Sequence, residues 1–122
     1  GFILASIALG TSYTNVNVIG LFAPILILGI PIFDTLLVTF YRIIQDKSPF
    51  LGSKDHFALR LEAMGLTRRQ ILSVACIASC LLSLIAYVST QVEFKWALLL
   101  YIFIVGELVL IGFWLYRVNM NE

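Results

Sequence analysis

The chain has 122 residues, of which 61% are hydrophobic and 12% charged, with a formal net charge of +1. Soluble domains carry roughly 25% charged residues, so a water-soluble enzyme is excluded. The eight Lys and Arg are clustered and not spread along a face, which excludes nucleic acid as a partner.

What remains is an all-α polytopic membrane protein: a helical bundle of one truncated and three full spans, with a loop carrying a short helix, in a single membrane domain over 1–122. The opening run GFILASIALG is apolar from its first residue with no basic region ahead of it, so it does not read as a signal peptide. Ten helical residues cover about 15 Å of a hydrocarbon core of roughly 30 Å, so 1–9 reads as a fragment cut inside a span. An uncharged polar turn over 10–17 follows.

The second span is expected over 18–41. Those 24 residues would reach about 36 Å if straight, and Pro31 removes one helical hydrogen bond and crowds the preceding turn. A kink near Gly29 to Pro31 is predicted. It brings Asp34, otherwise held at a depth where a carboxylate is costly, toward water or protein partners.

Loop 42–69 holds six of the eight basic residues, Arg42, Lys47, Lys54, Arg60, Arg68 and Arg69, together with the single histidine, His56. Asp55 as N-cap and Gly65 as C′ residue bound a short helix over 56–64. Phe57, Leu61 and Met64 form its apolar stripe, and His56 and Arg60 share another face. Thr67 to Gln70 has the form of a capping box, which starts a third span over 71–90. Within it Cys76 and Cys80 read as reduced, buried packing residues, because a four-residue helical spacing sets them too far apart for disulfide geometry.

After a turn over 91–95 the last span covers 96–116, with Trp96 at one end and Trp114 and Tyr116 at the other as interface anchors. Mid-span Glu107 is expected to face the bundle interior beside Gly106, or to serve a polar pathway. The concentration of positive charge makes loop 42–69 and the C-terminus cytoplasmic. The cationic and imidazole groups of the loop suit phosphate or pyrophosphate binding, although a basic loop is also a plain topology determinant.

The order of residues is more specific. P-I-F-D-T at 31–35, Arg42, S-P-F at 48–50, D-H at 55–56 and R-L at 60–61 resemble the polyprenyl-phosphate N-acetylhexosamine-1-phosphate transferase family, with its P-x-x-D-T segment, S-P-F loop and D-H-x-H-H-R-L motif. The opening run resembles the part that follows the family's G-D-A-G-S segment.

The resemblance implies the C-terminal part of a multi-pass plasma-membrane (inner-membrane) enzyme. Such an enzyme moves a sugar 1-phosphate from a UDP-sugar to a polyprenyl phosphate, using Mg²⁺ whose ligands lie mainly upstream, and a homodimer is an admissible assembly. On the same footing Asp34 is the catalytic candidate, and His56, Arg60, Asp55, Arg42, Lys47 and Ser48 are candidate substrate-binding residues. Ala58 and Leu59 stand where the motif has its second and third histidines. That departure keeps open a non-catalytic membrane scaffold or degenerate relative, and a transporter half built on broken helices is a third reading.

Overall fold

The computed structural model describes residues 2–10, 12–13, 15–48 and 56–117, and the regular structure among them is all helical. In chain order the elements are α1 (Phe2–Leu9), a 3-10 helix (Val18–Phe22), α2 (Ala23–Ile27), α3 (Gly29–Ile44), α4 (Phe57–Ala63), α5 (Arg68–Gln91) and α6 (Phe94–Tyr116).

Two helices, α5 and α6, are each long and apolar enough to cross a bilayer. A third crossing is counted if the bent pair Val18–Ile27 and Gly29–Ile44 is taken as one span. The second arm of that pair is bent by 73° from the line of the first. The predicted kink is therefore present, centred on Leu28 and sharp enough to divide the run into separate helices.

Its cause is local. Pro31 has no N–H to offer the carbonyl of Ile27, and its ring crowds that carbonyl. As the third residue of α3 it occupies a first turn whose N–H groups lack intrahelical partners in any case. Gly29 lets this corner press on α5, because a Cβ there would lie 2.7 Å from Leu82 Cδ1.

α5 begins as its sequence prescribes. The Thr67 hydroxyl accepts from the Gln70 N–H, and the Gln70 side chain accepts from the Thr67 N–H at 2.8 Å, a complete capping box. α5 and α6 form an antiparallel hairpin against which the bent pair packs.

One buried cluster joins Ala23, Leu26, Leu82, Ala86 and Ile104 near the bend; a second joins Leu37, Tyr41, Leu61, Ile71 and Leu115 toward the loop. Elsewhere large apolar side chains point outward along α5 and α6, as helices facing acyl chains or further protein require. Cys76 and Cys80 belong to this outer surface and are free thiols, so they do not pack inside the bundle as expected. Glu107 also lies on the exposed side of α6, and a Cβ at Gly106 would meet nothing within 4 Å.

The two ends of the hairpin are built differently. At the end formed by the α5–α6 turn, Asn17 is 6% exposed. Its Nδ2 donates to the carbonyls of Ser89 (2.8 Å) and Val92 (2.6 Å), and its Oδ1 accepts from the Gly20 N–H (2.8 Å). The polar turn before α2 is thereby tied to the turn after α5, two segments that the predicted topology places on one side. The opposite end carries the end of α3, α4 and the end of α6.

Candidate functional site

Asp34, the sixth residue of α3, shares a helical face with Leu37 and Tyr41, three and seven positions on. That face receives α4. The loop helix runs from Phe57 to Ala63, slightly shorter than expected, and His56 occupies its N-cap position without a capping bond of its own. Asp55, the expected cap, lies outside the described residues, as do Pro49 and Phe50.

The cap comes instead from α3. Asp34 Oδ1 accepts from the Phe57 N–H at 2.6 Å, and Asp34 Oδ2 lies 2.8 Å from His56 Nδ1. A carboxylate at a helix start satisfies an orphan donor and complements the positive end of the helix dipole. One side chain therefore fixes both the beginning of α4 and the adjacent imidazole.

An ionised carboxylate can only accept, so a proton on Nδ1 would complete this contact and leave Nε2 facing away from Asp34. The His56 side chain remains 51% exposed and that of Asp34 28%. The imidazole is thus the more accessible member of the pair. It offers Nε2 as a donor when the ring is charged and as an acceptor when it is neutral.

At its far end α4 closes with Gly65 at φ 91, the Gly65 N–H bonding Glu62 O (2.9 Å) and the Leu66 N–H bonding Leu61 O (3.2 Å). This Schellman arrangement confirms Gly65 as the C′ residue, and Leu61 and Leu66 join the second buried cluster. α3 ends in the same way with a less suitable residue. Asp46 sits at φ 53, its N–H bonding Ile43 O (3.1 Å), and the Lys47 N–H bonds Arg42 O (2.9 Å).

Arg60 does not share a face with His56. Its guanidinium lies 4.2 Å from the Tyr41 ring centroid and donates from Nη1 to the Leu115 carbonyl at 3.0 Å, with the residue 3% exposed. A cation at the C-terminal carbonyls of α6 is the complement of the carboxylate at the start of α4. Tyr41 adds a hydroxyl bond to the carbonyl of Gly112. Arg60 therefore anchors α4 to α3 and α6, with its charged head turned into the fold.

The remaining sequence candidates are dispersed. Arg42 is buried and lies eight residues beyond Asp34, about 12 Å along α3. Lys47 and Ser48 are exposed past the end of that helix, while Ala58 and Leu59, in the positions of the missing histidines, face outward from the first turn of α4. Among the described residues no three His, Cys, Asp or Glu side chains gather to hold a metal ion, and each oxygen of Asp34 already faces a donor. These residues alone do not make a Mg²⁺ site.

Two contributors escape a reading of the sequence. Tyr41 looks like one more apolar residue of a span, and Asn17 like part of a solvated turn. A signal for Asn17 does exist: an Asx residue three positions before Gly20, at the start of an apolar run, has the spacing of an N-cap.

The chain is 32% identical over 104 residues to a protein of Bacillus subtilis (strain 168) named a probable undecaprenyl-phosphate N-acetylglucosaminyl 1-phosphate transferase. The match takes in 85% of this chain and 29% of that relative, so the chain spans less than a third of the relative's length. No family model matches it, and no solved structure does.

Proposed function

Because the chain belongs to the polyprenyl-phosphate N-acetylhexosamine-1-phosphate transferase family, we propose that it forms part of an integral-membrane enzyme. The reaction is transfer of an N-acetylhexosamine 1-phosphate from a UDP-sugar to a polyprenyl phosphate. An oxygen of the lipid phosphate attacks the sugar-bearing phosphorus as its bond to the UMP oxygen breaks, which gives a lipid-linked sugar diphosphate and UMP. The product would initiate a cell-envelope polysaccharide or glycolipid.

The observation that supports this reading most is the contact of Asp34 with His56. It joins the two motif residues of the resemblance, far apart in sequence, at the loop end of the bundle, with the ring open to a ligand. Phosphoryl transfer depends chiefly on positioning and on neutralising phosphate charge. His56, held through Nδ1, presents Nε2 where it can exchange a proton with the attacking lipid phosphate and so help to position it. Mg²⁺, which the family implies, would screen the diphosphate. The resemblance implies that its ligands lie mainly upstream of this stretch.

The concentration of basic residues in 42–69 favours the cytoplasmic side of the plasma membrane for this end, where nucleotide sugars are available. The test is transfer of label from radiolabelled UDP-N-acetylhexosamines to undecaprenyl phosphate by the complete transferase in membranes, with and without Mg²⁺. Label in the lipid phase is expected, and its absence for every donor tried would overturn the assignment. One feature favours a second reading, a degenerate relative acting as a scaffold: the replacement of two motif histidines by Ala58 and Leu59. In that case the intact membrane protein transfers no label.

A further inference from the structure

Asp34 is the acidic residue of the 31–35 motif, and its simplest role would be to touch substrate or metal directly. Its surroundings argue otherwise. Oδ1 lies 2.6 Å from the Phe57 N–H and Oδ2 lies 2.8 Å from His56 Nδ1, so both oxygens are directed at α4. The exposed member of the pair is the ring, at 51% against 28%.

We propose that Asp34 is a positioning residue, whose carboxylate holds His56 in the Nδ1–H form with Nε2 presented outward and acts on sugar-phosphate transfer only through that ring. The claim rests on the transferase reading above, but its geometry stands without it.

Three contacts fix the ring. The carboxylate binds Nδ1 directly, and the same carboxylate pins the next peptide N–H, so neither the ring nor the backbone that carries it can swing independently. Arg60, over the Tyr41 ring and bonded to Leu115 O, keeps α4 from sliding along α3. Asp34 projects from within a continuous helix and not from a loop, which is the more rigid mount.

A second-layer carboxylate of this kind selects the imidazole tautomer and orients the ring without meeting the reactant. A plain helix cap would need only the bond to Phe57. The bond to Nδ1 is what the proposal adds.

Asp34→Asn separates the two roles. The amide oxygen can still accept from Phe57, so α4 keeps its cap, while the amide N–H now faces Nδ1 and forces the proton onto Nε2. In ¹⁵N spectra of the transferase in nanodiscs, with His56 assigned by difference against His56→Ala, the neutral wild-type ring is expected to carry its proton on Nδ1. The Asp34→Asn ring should carry it on Nε2, with little change in thermal unfolding. Turnover should fall by about tenfold or more in Asp34→Asn and in His56→Ala, and the double variant should be no slower than His56→Ala alone, as for residues that act as a unit.

A wild-type ring protonated on Nε2, or a further loss in the double variant, would sink the positioning role. Should wild type transfer no label from any donor, the transferase reading fails, and the spectra still decide the tautomer claim.

Discussion

At one end of the bundle Asn17 spends its side chain on three backbone groups and is closed to solvent; at the other, Asp34 and His56 bond one another and half of the imidazole surface stays open. Both are long-range polar contacts that tie a connecting segment to the helices. The difference lies in charge and in what is left over. A neutral amide whose donors and acceptor are all used can only hold structure. An ionisable pair with an outward nitrogen holds structure and also meets a ligand.

Substitutions test that contrast. The largest effect is expected for His56→Ala, which should reduce transfer of label to lipid by 10² to 10⁴-fold, on the order of a positioned acid–base group, while the unfolding midpoint in detergent stays near that of wild type. A large loss of stability would make the ring structural and erase the distinction.

Asn17→Ala should do the reverse. Three hydrogen bonds at about 1 kcal/mol each place the loss near 3 kcal/mol, read as a shift in denaturant unfolding. The rate per folded molecule should be unchanged. Asn17→Asp sharpens the point: it keeps the acceptor for Gly20 but sets a carboxylate against two carbonyl oxygens, so it should be no better than Ala.

Arg60→Met comes next at roughly 2 kcal/mol, from one charged hydrogen bond and a cation–π contact. It should loosen α4, seen as faster proteolysis between α3 and α5. The smallest effect is a gain. Asp46→Gly relieves a left-handed residue and should stabilise by up to about 1 kcal/mol, a rise in melting temperature with activity unaltered.

Features set by near neighbours were legible in the sequence. Thr67 and Gln70 specify the start of α5 because the capping box closes within four residues. Gly65 marks the end of α4 because only its backbone is at ease at that φ. Pro31 and Gly29 announced the bend, though not that it would divide the run at Leu28. The motif string suggested that Asp34 and His56 belong together, but the form of the contact was hidden. Periodicity gives faces, not partners, and Asp34 reaches across 22 residues to His56 and 23 to Phe57.

Arg60 shows the opposite error. Helical spacing groups it with His56 and its charge makes it a candidate for substrate, whereas the carbonyls at the end of α6 together with the Tyr41 ring draw it inward. Cys76 and Cys80 were misplaced because an apolar helix in a membrane turns its greasy residues outward as readily as inward.

Where the bent pair crosses as one span, the corner at Leu28 sets how it matches a bilayer. Straightened, residues 18–44 would extend about 40 Å, whereas arms of roughly 17 and 24 Å with a bend of 73° between them put their ends about 33 Å apart, close to the hydrocarbon thickness. As one span, the segment would shed its excess length at the bend and not by tilting. The same corner would then set how deep the carboxylate, one and a half turns beyond it, lies relative to the lipid headgroups.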